Sequence, residues 1–572
     1  MTLDRFFDNF QYVANAPNGV QKLREMILQL AFRGRLVPQN PGDEAVEALL
    51  QKMKRTASDD PPNGRDAPET VQELEIPFRI PASWVWVRLA TVGKIVGGGT
   101  PRSSNPRYFA QDGIPWLTPA DLYGFKGKLI ERGKRDLSEE GLENSSAQLM
   151  PKGTILFSSR APIGYVAIAA NDLSTNQGFK SCVPYESEMS EFIYYYLKSA
   201  GEEIDRNASG TTFREISGKG MKKTLFPLPP LAEQKRIVAK VDELMKRCDD
   251  LEARQKERNE RRTMLTASSL HALVSTPRKS AGTAIRRVSD YFNLLIDTPE
   301  TVAELRKTIL QLAVQGRLVP QLPSDGTAEQ ALRFQRKKAS GQKILSRVGA
   351  LLIPTKGLFA IPANWAWVSF REVIQRTDYG TSQKTSEDDN GIPVFRMNNI
   401  RDGKLDYNGL KYIPEECSDL PRLYLEDGDI LFNRTNSAEL VGKSAVFRNT
   451  PRSFSFASYL IRVALAQTIA LPEFFNMVIN SPYFRRSQIE PTLTQQCGQA
   501  NFSATKLAAA SVPLPPFPEQ KRIVLKFNEL MALCAELETR LVKARDDADT
   551  LLAAFVYHLH NPKTENAREM AV

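Results

Sequence analysis

The sequence contains few of the residues from which catalytic and metal sites are usually built. Only 3 histidines occur among 572 residues, and His271, His558 and His560 all fall in or near the ends of predicted long helices. Because His558 and His560 are two positions apart, a helix does not place them on one face. We therefore predict no metal site and no histidine-based catalytic set, so that catalytic residues are expected to be absent.

Cysteines are also few and are poorly placed for cross-linking. The 5 cysteines are odd in number, widely separated and without a Cys-x-x-Cys pair: Cys182, Cys248, Cys417, Cys497 and Cys534. This distribution argues against a disulfide framework or a zinc module, and it is typical of proteins in a reducing compartment.

Long hydrophobic runs and a strong excess of one charge are lacking as well. No apolar stretch reaches the roughly 18 residues that a membrane span requires, and Asp4 and Asp8 interrupt the start of the chain where a signal peptide is apolar. We expect a cytoplasmic protein with no membrane partner. The 76 Lys and Arg residues exceed the 66 Asp and Glu residues by 10, which permits nucleic acid as a partner without requiring it.

Two motifs that could indicate an enzyme are incomplete. The run Gly97-Gly-Gly-Thr100 lacks the Gly-Lys-Ser/Thr ending of a P-loop and the spacing of a dinucleotide fingerprint, so we interpret it as a tight loop before a strand. The run Asn480-Ser-Pro-Tyr483 resembles the Asn/Asp-Pro-Pro-Tyr/Phe motif of amino-methyltransferases, but Ser481 replaces the first proline and no glycine-rich cofactor loop precedes it. Neither motif predicts catalysis by this chain.

The chain contains one long internal repeat. Residues 23–39 recur as residues 305–321 with four differences, residues 80–87 recur as 361–368, and residues 227–238 recur as 513–524. The sequences between these segments have diverged much further. This contrast predicts one fold that is present twice and carries two different surfaces.

The first recurring segment has the pattern of an amphipathic helix. Leu23, Met26, Ile27, Leu30 and Ala31 form the apolar stripe, and Gly34 stands where a C-terminal cap is expected. The second copy repeats this stripe with Leu305, Ile309, Leu312 and Ala313 before Gly316.

The chain between the helical segments reads as mixed α/β structure. Short β-prone runs occur at residues 154–157, 164–168, 430–432 and 458–463, and residues 191–198 have a helical pattern. We predict an N-terminal helical segment (1–74), a first α/β domain (75–230), a central helical region (231–355), a second α/β domain (356–516) and a C-terminal helix (517–572). The predicted fold class is α/β (α+β), with two mixed α/β domains separated by long helices in an antiparallel coiled coil.

Heptad patterns support the long helices. The first has apolar residues stepping by 4 and 3 at Ile237, Val241, Leu244, Cys248 and Leu251. The second has Ile523, Phe527, Leu530, Cys534, Leu537, Leu541, Ala544, Ala548, Leu551 and Phe555, where the first is interrupted by Gln255, Arg258 and Arg262. Whether the helices pack on each other, or each only on its own domain or a partner, stays open. A helix of about 40 residues spans about 60 Å, enough to separate two domains by more than one turn of B-DNA.

Basic and amide residues cluster beside glycines and aromatics in both α/β domains. Arg suits guanine edges, Asn and Gln suit adenine edges, and Lys, Ser and Thr suit phosphates, although polar loops on any α/β domain contain such residues. The candidate DNA-binding residues of the first domain are Thr100, Arg102, Arg107, Tyr108, Arg160, Lys180, Thr211 and Arg214. Those of the second domain are Thr381, Lys384, Arg396, Asn398, Asn399, Arg434, Asn436 and Asn501.

The recurring motifs resemble the specificity subunit of type I restriction-modification systems. They are the helix ending Gly-Arg-Leu-Val-Pro-Gln, the entry Ile-Pro-x-x-Trp-x-Trp, the strand Gly-Asp/Thr-Ile-Leu-Phe, and the helix start Pro-Leu-Pro-Pro-x-x-Glu-Gln-Lys-Arg-Ile-Val. They occur in both copies, in the same order, over nearly the whole chain.

The resemblance implies two target-recognition domains that each read half of a bipartite, asymmetric site in double-stranded DNA. It also implies helices that fix the unread spacer, and a subunit without catalysis or a cofactor of its own. Two modification (methyltransferase) subunits would supply S-adenosylmethionine-dependent adenine methylation. Restriction (nuclease/translocase) subunits would join for cleavage that requires ATP and Mg²⁺.

Two other interpretations stay open from the residues alone. A self-contained DNA-modifying enzyme would need a cofactor motif that the sequence lacks, and S-adenosylmethionine binding by the isolated chain would support it. A coiled-coil scaffold without DNA affinity would show no salt-dependent binding to duplex DNA.

Overall fold

The computed structural model describes residues 18–59, 70–208, 214–339, 358–496 and 499–560. The chain divides into two compact units, the first formed by residues up to 257 together with those from 545 onward, and the second by residues 258–544. Each unit combines the beginning of one long helix with the end of the other, which is the order of an antiparallel helix pair.

The first unit begins with two helices and continues with mixed α/β structure. In chain order its α-helices and β-strands are α1 (Gly19–Phe32), α2 (Val46–Asp59), β1 (Val85–Arg88), α3 (Leu89–Val92), β2 (Gly93–Gly97), β3 (Phe109–Ala110), β4 (Ile114–Leu117), β5 (Leu129–Ile130), β6 (Arg135–Leu137), α4 (Glu139–Glu143), β7 (Ile155–Ser159), β8 (Ile163–Ala169), β9 (Ser174–Thr175), β10 (Lys180–Pro184), α5 (Ser190–Arg206), α6 (Gly218–Lys223), β11 (Leu225–Leu228) and the long helix α7 (Leu231–Ser275). The last part of α7 belongs to the second unit.

The second unit follows the same general plan, with additional short helices and strands. Its elements are α8 (Gly282–Asp290), α9 (Phe292–Leu295), α10 (Pro299–Val314), α11 (Ala328–Ala339), β12 (Ala366–Ser369), β13 (Ile374–Tyr379), β14 (Ile392–Phe395), β15 (Ile400–Arg401), β16 (Lys404–Leu405), β17 (Lys411–Ile413), β18 (Ile430–Asn433), β19 (Thr435–Asn436), β20 (Ser444–Val446), β21 (Ser455–Phe456), β22 (Leu460–Leu465), α12 (Pro472–Ile479), α13 (Pro482–Phe484), β23 (Thr494–Gln496), β24 (Gln499–Asn501), α14 (Ala504–Ala509), β25 (Ser511–Leu514) and the long helix α15 (Phe517–His560). The end of α15 belongs to the first unit.

Both units build corresponding sheets. The main sheet has the strand order β2-β10-β7-β8-β5 in the first unit and β13-β22-β18-β20 in the second. A smaller sheet has the order β3-β6-β4-β9 in the first unit and β17-β14-β21 in the second. The repeat therefore extends into segments whose sequences have diverged, and the predicted mixed α/β fold is confirmed.

A two-stranded ribbon lies where the chain enters and leaves each α/β segment. Val85 at the start of β1 pairs with Leu228 at the end of β11, and Ala366 of β12 pairs in the same way with Leu514 of β25. The chain thus returns to the place where it entered before the long helix begins.

The predicted glycine caps are confirmed. Helix α1 ends in a Schellman turn, because the amide of Arg35 donates to the carbonyl of Leu30 at 2.9 Å while Gly34 adopts a φ of 65°. A Cβ atom at Gly34 would lie 2.3 Å from the Cγ atom of Pro81. Gly316 ends α10 in the same way with a φ of 68°.

The three recurring segments meet at a buried glutamate in each unit. In the first unit, Glu233 accepts hydrogen bonds from the amide of Gln39 at 2.6 Å and the indole of Trp84 at 3.0 Å. In the second unit, Glu519 accepts from Gln321 at 2.8 Å and from Asn364 at 2.9 Å. We call these two groups of three residues the first and second joint.

An arginine–aspartate pair follows each joint. Arg236 donates to Asp43 through two bonds of 2.9 and 2.6 Å, and Arg522 donates to Asp325 through bonds of 2.8 and 2.7 Å. The bond from Arg236 lowers the pKa of the Asp43 carboxyl, and Arg522 lowers the pKa of Asp325 in the same way. Each copy of the repeat therefore supplies residues to an equivalent buried-glutamate contact and an equivalent arginine–aspartate pair. These shared contacts explain why the recurring segments have remained similar.

The apolar seam of α15 differs from the prediction at its end. Leu551 is 71% exposed, whereas its neighbour Leu552 is 7% exposed and packs in the core of the first unit. A straight helix drifts by about 20° per heptad from a strict seven-residue repeat, so four heptads after Ile523 the drift is about 80°, close to the 100° of one residue. Phe555 lies outside the residues whose side chains are described.

The two long helices pack both on their own units and beside each other's ends. Residues of α7 from Ile237 to Cys248 belong to the core of the first unit, together with Leu552 of α15. In the second unit, Leu270 of α7 shares a hydrophobic cluster with Cys534 of α15. Of the alternatives left open by the sequence, these clusters support packing of the helices on each other, in addition to the packing of each helix on its own unit.

Candidate nucleic-acid interface

In each unit, the ends of two strands of the main sheet lie beside the start of the strand between them. In the first unit, β2 and β7 run antiparallel to β10, so their ends lie beside its start: Gly97 pairs with Lys180, and Ser158 with Phe179. In the second unit, β13 and β18 end beside the start of β22, where Asn433 pairs with Leu460. We call this place the strand-end edge.

The first strand-end edge brings several predicted residues together around Glu215. Its carboxylate lies 3.8 Å from the guanidinium of Arg160 and 3.4 Å from the ammonium of Lys180. Thr100 donates a hydrogen bond to Gln177 in the adjoining loop. This edge carries two cations that share one carboxylate, so it retains positive charge.

The cluster around Glu215 does not include the other predicted residues that the structure describes in the first unit. Arg214 pairs with Asp205 at 3.2 Å, and Thr211 lies outside the described residues. Arg102 and Arg107 are exposed on the chain that leads into β3, and the Tyr108 carbonyl accepts from the amide of Ser138 at 3.1 Å. Arg107 and Tyr108 lie in the short 3-10 helix Pro106–Tyr108, directly before the first strand of the smaller sheet.

Arginine and tyrosines form the second strand-end edge. The guanidinium of Arg434 lies 4.8 Å from the ring centroid of Tyr379 and donates to the carbonyl of Ser458 at 3.2 Å. Tyr379 and Tyr459 are 44% and 46% exposed. An arginine held on an aromatic face keeps N–H groups available for planar acceptors, and exposed aromatic rings offer stacking surfaces.

A short ribbon continues this edge. The hydroxyl of Thr435 donates to the side-chain oxygen of Asn501 at 2.6 Å, and Asn436 pairs with Ala500 across strands β19 and β24. Asn436 and Asn501, both predicted from the sequence, thus lie beside Arg434.

Other predicted residues of the second unit hold loops. Thr381 is 3% exposed and donates to Asp419 at 2.7 Å. Asn399 is 1% exposed, and its amide donates to the carbonyls of Asp406 and Asn408 at 3.0 Å each. Arg396 donates to the carbonyl of Gly409 at 3.1 Å.

Two predicted residues of the second unit are exposed. No side-chain bond is recorded for Lys384 or Asn398 within the described part of the chain. These two side chains are therefore available to a ligand, unlike those of Thr381 and Asn399.

A buried arginine connects the second edge to its sheet. Arg462 is 1% exposed and donates to Asp378, next to Tyr379, at 2.6 Å, with Asp429 3.8 Å away. Burial opposes ionisation of Asp378, but the hydrogen bonds and charge of Arg462 outweigh it and lower the pKa of that carboxyl. Burial raises the pKa of Asp429 to about 6.

Sequence reasoning missed Glu215, Tyr379 and Tyr459. Glu215 directly follows Arg214, and Tyr379 directly precedes Gly380, so both adjoin residues that were selected. Only the strand pairing reveals that they face the predicted arginines. An aromatic residue at the last position of a strand is the signal that could have been used.

The two incomplete enzyme motifs have structural roles. The glycine run forms the predicted tight loop, but it directly follows β2, and a Cβ atom at Gly98 would lie 2.0 Å from the carbonyl oxygen of Asn176. Tyr483 is 7% exposed, donates to the carbonyl of Ser511 at 2.9 Å, and packs 5.3 Å from Trp367. Burial raises the pKa of Tyr483 to about 12. Its ring is occupied by the core and does not face a ligand.

A family model described as the type I restriction modification DNA specificity domain matches the chain twice, over residues 81–261 and 362–544. The two matches together cover more than half of the chain. The chain belongs to this family. Each match includes the main sheet of one unit and much of the following long helix, so this specificity subunit contains the family's domain in duplicate.

Known specificity subunits are similar along most of the chain. The EcoEI specificity subunit of Escherichia coli is 24% identical over 568 residues, which cover 92% of this chain and 91% of that subunit. The EcoAI subunit of the same organism is 26% identical, with 91% and 90% covered. The MjaIX subunit of Methanocaldococcus jannaschii is 39% identical over 184 residues, which cover 32% of this chain and 41% of that one.

Solved structures are similar at lower identity. The HsdS subunit from Thermoanaerobacter tengcongensis is 19% identical, with 85% of this chain and 98% of that chain covered and a TM-score of 0.40. A chain from a structure of complex assembly and conformational transition in the type I R-M system is 19% identical, with 84% and 98% covered and a TM-score of 0.46.

The described ranges contain neither a membrane-spanning helix nor a cluster of metal-binding side chains. No helix in these ranges combines the length and the apolar run needed to cross a bilayer. The same ranges contain no group of three or more His, Cys, Asp or Glu side chains that could hold a metal ion.

Proposed function

We propose that this specificity subunit reads a bipartite, asymmetric site in double-stranded DNA, with residues 75–230 reading one half and residues 356–516 the other. The strand-end edge of each domain is the reading surface. Arg160 and Lys180 act in the first, and Arg434, Asn436 and Asn501 act in the second. Arginine and amide side chains supply the hydrogen-bond patterns that distinguish base edges in the major groove.

One observation carries the proposal. The recurring segments share the glutamine–glutamate and arginine–aspartate contacts in both units, whereas the strand-end edges differ in almost every side chain. Glu233 and Glu519 accept from the same glutamine of the repeat, but a glutamate bridges two cations at one edge and a tyrosine supports an arginine at the other. The similar recurring segments suit two identical partner subunits, and the different strand-end edges suit two different DNA half-sites.

The recurring segments also support docking of two identical modification subunits. Pro38 and Pro320, which directly precede the glutamines of the two joints, are both exposed. The protein therefore presents the same short surface twice. Restriction subunits complete the assembly for ATP- and Mg²⁺-dependent cleavage, and S-adenosylmethionine binds the modification subunits. Because these partners supply the chemistry, this chain performs no catalysis of its own. The complex acts inside the cytoplasm.

The test is to co-express the chain with its modification subunit in a host without DNA methylation and to map methylated adenines. We expect one bipartite motif, of which only one half changes when residues 75–230 are exchanged for those of a relative. A motif that changes in both halves, or methylation without a motif, would contradict the assignment of one half-site to each domain.

A further inference from the structure

A cavity of about 310 Å³ opens on the smaller sheet of the first unit. Residues of β3 and β6 line it together with the chain on either side, from Phe109 to Asp112 and from Arg132 to Asp136. This volume is at the lower end of the roughly 300–1,000 Å³ range of small-molecule sites. The cavity lies on a different sheet from the first strand-end edge.

The acidic residues of the cavity are already paired. Arg132 donates to Asp112 at 3.0 Å and lies 3.6 Å from the carboxylate of Asp136, which is itself buried. One arginine thus serves both carboxylates that line the cavity. The other two cations of the lining are left without a carboxylate.

These two cations are Lys134 and Arg135, and both are exposed. In the described part of the chain neither side chain has a recorded ion pair or hydrogen bond. The guanidinium of Arg135 lies 3.9 Å from the ring centroid of Phe109, which fixes its plane and leaves its N–H groups available. The amide of Lys134 donates to Asp121 at 3.1 Å, which fixes the loop that carries both residues.

In the second unit, the cations at the corresponding sheet are paired with other groups of the protein. Arg135 pairs with Trp116 across β6 and β4, and Lys411 pairs with Val394 across the corresponding strands β17 and β14. Lys411 therefore stands where Arg135 stands in the first unit, but it forms an ion pair with Glu387.

A second cation on that sheet is also occupied. Arg452, which lies 5.3 Å from the ring centroid of Tyr412, donates to the carbonyls of Asp389 and Gly391 at 2.7 and 2.6 Å. Lys411 and Arg452 are thus held by groups of the second unit itself, whereas Lys134 and Arg135 face a cavity.

We propose that Lys134 and Arg135 bind a phosphate group in this cavity. A planar guanidinium and an ammonium on adjacent residues supply the paired charge-assisted donors that phosphate oxygens accept. The proposal rests on the proposed function in one respect: the phosphate belongs to the backbone of the DNA that the first domain reads. Exposed Arg102 and Arg107, on the chain leading into β3, extend the same positive surface.

Such a contact fixes the position of the protein on the duplex and carries no base preference of its own. The remaining source of the same chemistry is the phosphate of a free nucleotide, and the two sources give different results in solution.

The test compares the full chain with the double variant Lys134→Ala/Arg135→Ala, with Lys411→Ala as the matched control. Affinity for duplex DNA is measured by fluorescence anisotropy over a series of salt concentrations. Each lost phosphate contact lowers the slope of log affinity against log salt by about 0.9. We expect the double variant to lose about one such step with unchanged sequence preference, and Lys411→Ala to keep the slope. Lys134→Ala alone retains Arg135 on the ring of Phe109 and should lose only part of that step.

Calorimetric titration with ATP and with inorganic phosphate forms the second arm. Binding to the wild type but not to the double variant, with equal salt slopes, would support the phosphate site and assign it to a free nucleotide. Equal slopes together with equal, or absent, ATP and phosphate binding would overturn the proposal. If the wild type itself showed no salt-dependent DNA binding, the proposed function would fail, and the ATP arm would still decide whether the cavity binds phosphate.

Discussion

Arg462 occupies a position in the second sheet that a serine occupies in the first. Ile155 pairs with Cys182, and the corresponding Ile430 pairs with Val463, so Ser181 matches Arg462. Opposite them stand Val96 in the first unit and Asp378 in the second. An apolar–hydroxyl pair has been replaced by an ion pair at the same buried place.

This replacement predicts unequal effects of mutation. Arg462→Met leaves Asp429 buried without its cation and leaves Asp378 with only the more exposed Arg376 and Arg422. We expect the free energy of unfolding of the second unit to fall by about 3–5 kcal/mol. Ser181→Ala is the control in the first unit. It should change the free energy of unfolding of that unit by less than about 1 kcal/mol, because the Ser181 hydroxyl has no hydrogen-bond partner within the described residues. Urea unfolding followed by fluorescence measures both. A change of equal size for the two variants would contradict this account.

Asp429 gives the second unit a pH dependence. Its folded pKa of about 6 lies above the roughly 3.9 of an unfolded aspartate. The folded state therefore binds this proton more tightly, so the contribution to stability is complete below pH ~4 and is lost as the pH rises through about 6. We expect Asp429→Asn to remove this decrease in unfolding experiments between about pH 4 and pH 7. Asp427→Asn, at a carboxylate 46% exposed, should leave it in place.

The arginines of the two strand-end edges should act on DNA binding alone. Arg160→Ala and Arg434→Ala each remove a partly exposed guanidinium, and we expect each to weaken binding of the cognate duplex by about 1–3 kcal/mol. Co-purification with the modification subunit should be unchanged. Arg333→Ala, at a side chain 77% exposed on α11, is the control. Loss of assembly with preserved folding would show that these arginines serve a subunit interface instead.

At the scale of single elements, the helices were the most predictable part of the chain. The stripe from Leu23 to Ala31 and the cap at Gly34 follow from helical geometry and are present as predicted. The last heptads of α15 were placed wrongly, because the sequence does not reveal whether a long helix supercoils. Leu551 and Leu552 are both apolar, and only the path of the helix decides which of them is buried.

The buried position can be tested directly. Leu552→Ala should lower the free energy of unfolding by about 2–5 kcal/mol, since it creates a cavity in the core of the first unit. Leu551→Ala, one residue away and mostly exposed, should change it by less than about 0.5 kcal/mol. Thermal unfolding of the two variants distinguishes the positions, and the reverse order would restore the strict heptad seam.

The strand-end edges were predictable only in part. Arg160 and Arg434 could be selected because they follow β-prone runs directly. Thr381 and Asn399 have the same residue types as base-reading side chains, but their hydrogen bonds to Asp419 and to the carbonyls of Asp406 and Asn408 hold loops. Residue type indicates what a side chain can bind, whereas burial decides whether a ligand reaches it.

For the whole molecule, the division into two compact units predicts that the two proposed half-sites contribute separately to the binding free energy. Arg160 belongs to the first unit and Arg434 to the second. Mutations that share no partner usually add within about 0.5 kcal/mol. We expect the loss of binding free energy in Arg160→Ala/Arg434→Ala to equal the sum of the single losses, measured on the duplex that carries both half-sites. A double loss well below the sum would mean that the two edges contact DNA as one cooperative surface.

The two joints have a consequence for how new recognition arises. Each joint is assembled from three stretches of chain, and the domain that we propose to read DNA lies wholly between the second and the third. A substitution at a strand-end edge therefore leaves every partner of Glu233 and Glu519 in place. Selection can act on what the protein recognises without revising how it is assembled, so the two properties can evolve independently within one gene product.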